Sequence, residues 1–106
     1  MPRIKLTLEY DGTDYVGWQV QPNGPSVQAA VERALGKLLG VPTPVLCAGR
    51  TDAGVHALGQ VVAFDAAQAL PAKAYLRGLS SLLPPDISVV VSEEVPPGFD
   101  PRRHAR

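Results

Sequence analysis

The segment CAGRTDAGVHALGQ, residues 47–60, sets Arg50 and Asp52 two positions apart in a glycine-flanked bend between two stretches that read as strands. A turn uses the glycines and can use the aspartate. It has no need of the arginine. A guanidinium beside a carboxylate favours the ionised form, and an ionised, positioned aspartate can act as nucleophile, as base or as metal ligand. The same letters also serve an ordinary turn in which Asp52 bonds local amides and Arg50 sits on the surface.

Other residues offer less chemistry. Asp11 and Asp14 in DGTD do not follow the calcium-loop pattern and read as a turn with an Asx cap. His56 has no acid or nucleophile near it in sequence except Asp52, so a structural hydrogen bond is its default role. Tyr15 and Trp18 can stack on nucleic-acid bases, but aromatic residues more commonly close over a core. No phosphate-binding glycine loop, Ser-His-Asp set or dinucleotide fingerprint is present. One cysteine, Cys47, and two histidines, His56 and His104, give no zinc spacing, so no metal site is expected.

The elements that must position Arg50 and Asp52 follow from periodicity. Ile4, Leu6, Leu8 and Tyr10 alternate with Lys5, Thr7 and Glu9, which predicts a strand with one buried face. Residues 11–25 read as a long loop carrying Tyr15 and Trp18. Val27, Ala30, Val31, Ala34, Leu35, Leu38 and Leu39 predict a helix with Ser26 as N-cap and Gly40 as its stop. VPTPVLCAG and VHALGQVVAFD read as two strands of a hairpin joined by GRTDAG. Leu76, Leu79, Leu82 and Leu83 predict a second helix despite Gly78, and ISVVVSEEV a last strand. The order β-α-β-β-α-β is that of the ferredoxin-like fold, an α+β antiparallel sheet with two helices on one face.

A chain of 106 residues encloses one hydrophobic core, and 45% hydrophobic content argues against disorder despite eleven prolines and ten glycines. With one cysteine and no apolar run of spanning length, a reducing, cytoplasmic setting and no membrane partner are expected. Ten basic and ten acidic residues cancel, so bulk charge does not argue for a nucleic-acid partner. The last eight residues, FDPRRHAR, are net +2. They read either as a solvated terminus or as a basic arm.

CAGRTDAGVHALGQVVAF, EYDGTDYVGWQVQP and SVQAAVERAL together resemble, in one register, the N-terminal half of the bacterial tRNA pseudouridine synthases of the TruA family. The resemblance implies that Asp52 is the catalytic nucleophile and that Arg50 helps to place it and the flipped nucleotide. It implies an isomerase that converts uridine to pseudouridine in the tRNA anticodon stem-loop, with no cofactor and no metal, acting as a homodimer. Arg50, Lys5, Arg102 and Arg103 are the expected RNA contacts. Residues 1–98 are expected to form the N-terminal domain and 99–106 a basic connector toward a C-terminal half, leaving this chain alone with little activity. The alternatives are a non-catalytic RNA-binding module or truncated paralogue, and, less well matched, an acylphosphatase-like hydrolase.

Overall fold

In the computed structural model, which describes residues 2–20, 22, 24–49, 54, 56–68 and 70–104, the alternation along the first strand is met directly. β1 (Arg3–Tyr10) buries Ile4, Leu6, Leu8 and Tyr10 on one face. It is followed by α1 (Val27–Leu39), β2 (Leu46–Cys47), β3 (Ala57–Asp65), α2 (Ala72–Leu82), β4 (Ile87–Val95) and α3 (Pro101–His104). The strand order is β2-β3-β1-β4 with every neighbouring pair antiparallel, the ferredoxin-like arrangement. Leu6 stands between Val62 of β3 and Ser92 of β4, and the inward face of the sheet packs under α1 and α2 in one core.

The helix α1 starts where its first-turn amides find acceptors. Ser26 Oγ accepts from the Ala29 amide at 3.1 Å, a cap that contributes about 1 kcal/mol. The carbonyls of Gly17 and Trp18 accept from Val27 and Gln28, so the loop before the helix supplies the rest of the cap. Those amides are therefore closed to an anion. Gly40 ends the helix at φ 77°, a left-handed position that glycine occupies without strain. The helices meet at Gly78, where a Cβ would lie 2.8 Å from Leu38 Cδ1, so the lost helix propensity there accompanies a close approach.

Two segments differ from the sequence expectation. The strand expected over VPTPVLCAG shrinks to Leu46–Cys47, because prolines 42 and 44 lack donors and the Val45 amide bonds the Glu32 carboxylate of α1 at 3.0 Å. The tail, for which no helix was expected, turns back at Phe99 and forms α3 beside β2 and β3 with Arg102 and Arg103 exposed. Pro101 is fully buried there. Arg3 holds this return: Nη1 donates to the Phe99 carbonyl at 2.6 Å, while Nε and Nη2 donate to the two Asp65 oxygens at 2.9 and 3.1 Å. Lys5, next on the same face, pairs with Glu93 at 3.2 Å and lies over the Phe99 ring.

The hydrogen bonds from Arg3 hold the Asp65 carboxyl below its ordinary value of 3.8. A depressed folded-state pKa contributes stability that is whole above the unfolded value and is lost as pH falls through the lowered one. Urea unfolding followed from pH 6 to pH 2 should show stability falling below pH 4, with a shallower fall in Asp65→Asn.

Candidate active site

The positions singled out for chemistry, Arg50 and Asp52, lie outside the described residues, but both stems of their loop are within them. On the near side β2 and β3 pair through Leu46–Ala63 and Cys47–Val62, and the Ala48 amide continues toward the Val61 carbonyl at 2.8 Å. Beyond it the side chain of Gln60 takes over. Its Nε2 donates to the Gly49 carbonyl and its Oε1 accepts from the Gly49 amide. On the far side Gly54, at φ 76°, donates its amide to the Tyr15 carbonyl at 3.2 Å. That left-handed backbone strains any residue with a Cβ, which is why this position of the motif is glycine.

His56 closes the same stem against the turn after β1. The Gly12 amide donates to His56 Nδ1 at 3.0 Å. An amide can only donate, so Nδ1 offers its lone pair and the ring proton sits on Nε2. The Asp11 carboxylate lies 3.1 Å from the same nitrogen. Asp11 is otherwise occupied: Thr13 donates to its Oδ1 from both hydroxyl and amide, which lowers the carboxyl below its ordinary range. This is the expected Asx turn.

The turn is itself anchored from below. Tyr15, buried, donates its hydroxyl to Asp86 Oδ1 at 2.7 Å, and the Asp11 amide donates to the Asp86 carbonyl at 2.9 Å. Burial, with the bond to Asp86, pushes the Tyr15 phenol well above its ordinary value. Trp18 is also buried and packs beside Tyr10, with ring centroids 6.4 Å apart. The two aromatic residues therefore close the core and are not free platforms for bases.

Two hollows flank the loop stems. One of about 810 Å³ is bordered by Glu9, Asp11, His56, Leu58, Asp86 and Ser88. Its rim is acidic, which disfavours phosphate and leaves a cationic contribution to come from elsewhere. Between Leu8–Gln60 and Tyr10–Ala57 the β1–β3 register slips, and the extra residue turns Leu58 out to 85% exposure. The other, about 370 Å³, includes Trp18, Gln28, Cys47, Gly49 and Arg102. The structure thus brings Arg102 to the near stem of the loop. Arg103 is exposed on α3, and Lys5 is on the open sheet face with Glu93 and Phe99. Among the described residues no group of three or more His, Cys, Asp or Glu side chains could hold a metal.

A family model described as tRNA pseudouridine synthase matches residues 7–102. The chain belongs to the tRNA pseudouridine synthase family. It is 63% identical over 106 residues to the tRNA pseudouridine synthase A of Myxococcus xanthus, covering all of this chain and 40% of that protein. Against the enzymes of the same name from Geobacter sulfurreducens and Geotalea uraniireducens it is 57% identical over 102 residues and 51% over 106. Those matches cover 96% and 100% of this chain and 42% and 43% of the relatives. The chain spans about two fifths of the length of the curated relatives it matches.

Sequence reading passed over Gln60 and the Tyr15–Asp86 bond. Gln60 did carry a signal, since it occupies an inward position of β3 in line with Val62 and Phe64, where the alternation calls for an apolar residue. Tyr15 and Asp86 are 71 residues apart, and nothing local announces their bond. Tyr15→Phe keeps the ring and removes only that bond, so urea unfolding should show a loss of about 1–2 kcal/mol.

Proposed function

We propose that this chain supplies the catalytic loop of a tRNA uridine-to-pseudouridine isomerase in which Asp52 is the nucleophile and Arg50 positions it. The observation that carries the reading is the family match across residues 7–102, spanning an Arg50–Asp52 pair whose loop is tied at both stems. In the reaction the N1–C1′ glycosidic bond breaks, the base turns, and a C5–C1′ bond forms. The proton on C5 is released to solvent and N1 takes one up, so the change is an isomerisation without cofactor. Asp52 can serve by attacking sugar or base, or by taking a sugar proton. Extruding the target base costs a few kcal/mol of stacking and pairing. Arg50 is suited to hold Asp52 ionised and to contact the backbone or fill the vacated place.

The substrate proposed is the anticodon stem-loop of tRNA, bound in the cytoplasm by a homodimer. Residues 1–98 are the N-terminal domain in this reading, and 99–106 lead toward the further length that the relatives carry, without which activity is low. Besides Arg50, the phosphate-binding residues proposed are Arg102 and Arg103, which are exposed, and Lys5. Arg102 is the best placed of these, since it borders the same hollow as Gly49.

Tritium release from tRNA labelled at uridine C5 tests the chemistry. This chain alone should release little. A version extended by the length the relatives carry should turn over, and Asp52→Asn in it should lose about three orders of magnitude or more. Turnover that survives Asp52→Asn would overturn the assignment, and an inactive extended protein that still binds tRNA would favour a non-catalytic RNA-binding module. Reversing the charge at Arg102 and Arg103 in the extended protein should weaken tRNA binding and flatten its dependence on log salt by about 0.7–0.9 for each phosphate no longer neutralised.

A further inference from the structure

Gln60 is a polar side chain in an apolar row. It is 8% exposed, stands opposite Leu8 of β1, and precedes Val62 and Phe64 on the same inward face. A leucine there would fit the core with less desolvation. What the glutamine adds is directed outward: its carboxamide binds both the amide and the carbonyl of Gly49, the residue immediately before Arg50. In the register of the β2–β3 ladder Gly49 is the residue that faces Gln60, so the side chain replaces the ladder just where the backbones part. Gly49 is exposed, and water could satisfy the same two groups. The bonds are therefore not needed to keep a buried backbone paired. They tie Gly49, the last described residue before Arg50, to β3.

We propose that Gln60 is a positioning residue for the loop that carries Arg50 and Asp52, gripping its near stem through Gly49 while the Gly54–Tyr15 and His56–Gly12 bonds hold the far stem. The near anchor, Gln60, belongs to β3, and the far anchors, Gly12 and Tyr15, belong to the turn that follows β1. A catalytic group hung from one stem alone would sample many directions, and a shift of about 1 Å in such a group can cost about 100-fold in rate. The inference rests on the isomerase reading for its catalytic consequence, and on the geometry alone for its structural one.

Gln60→Leu separates this role from a merely structural one, because the two move stability and turnover differently. In the extended synthase Gln60→Leu should keep or raise the melting temperature, lower kcat by about 10- to 100-fold and leave KM for tRNA within about twofold. Gln60→Glu, which can accept from the Gly49 amide but cannot donate to its carbonyl, should lie between. Ser92→Ala, which loses a 2.6 Å bond to the Ala72 carbonyl between β4 and α2, serves as the destabilised control with kcat unchanged. An unchanged kcat in Gln60→Leu, or a loss matched by Ser92→Ala at equal destabilisation, would overturn the proposal. In this chain itself, the amide shifts of residues 49–54 should move in Gln60→Leu. If they stay in place the grip on the loop is refuted whether or not the extended protein is an isomerase, and Asp52→Asn turnover tests that reading separately.

Discussion

The register between β1 and β3 is the constraint on which the site depends. Pairing Ile4 with Phe64 and Leu6 with Val62 puts the apolar residues of both strands on one face, and a slip of one residue would turn them all to solvent. Beyond the one-residue bulge that follows Leu8–Gln60, the same strand pair brings Tyr10 to Ala57, so the turn after β1 and the stem after the Arg50–Asp52 loop arrive side by side. The Gly12–His56 and Tyr15–Gly54 bonds then form between neighbours. Core burial, a bulk effect, thereby determines a local polar geometry.

The loop between β1 and α1 is tied to the rest of the fold, through its described residues, without a strand or helix of its own. Its aromatic side chains are buried and its carbonyls cap α1, while the Tyr15 hydroxyl reaches Asp86 at the start of β4. Each polar group that enters the interior brings a partner, and among the described residues no buried side-chain nitrogen or oxygen lacks one. Loops that carry catalytic residues are usually the least constrained parts of a fold. Here Tyr15 and Trp18 of the neighbouring loop pack into the core while Asp11, Thr13, Asp14 and Val20 stay exposed, and the buried pair gives the stem beside it a base.

Charge follows the same division. The hollow beside the turn has an acidic rim, whereas the exposed cations Arg102 and Arg103 sit on α3, whose place is secured by Arg3 and by the burial of Pro101. The overall neutrality of the chain thus conceals a local separation, and phosphate recognition depends on local patches.

Periodicity and turn or cap residues were enough for the order of the four strands with α1 and α2, the inward face of β1, the cap at Ser26, the stop at Gly40 and the ferredoxin-like class, because each rests on residues near in sequence or on a repeating burial pattern. Spacing singled out the Arg50–Asp52 pair without separating it from an ordinary turn, and the resemblance of the surrounding blocks gave the pair its expected role. Other features were decided only by tertiary structure. β2 is short because a carboxylate from α1 takes the amide that would have extended it, and the tail folds back because Arg3 and Pro101 find partners far away in sequence. Gln60 and Tyr15 gain their meaning from residues that the fold alone places beside them. Hydrogen bonds between distant side chains depend on direction and distance, and neither is encoded in the spacing of letters along the chain.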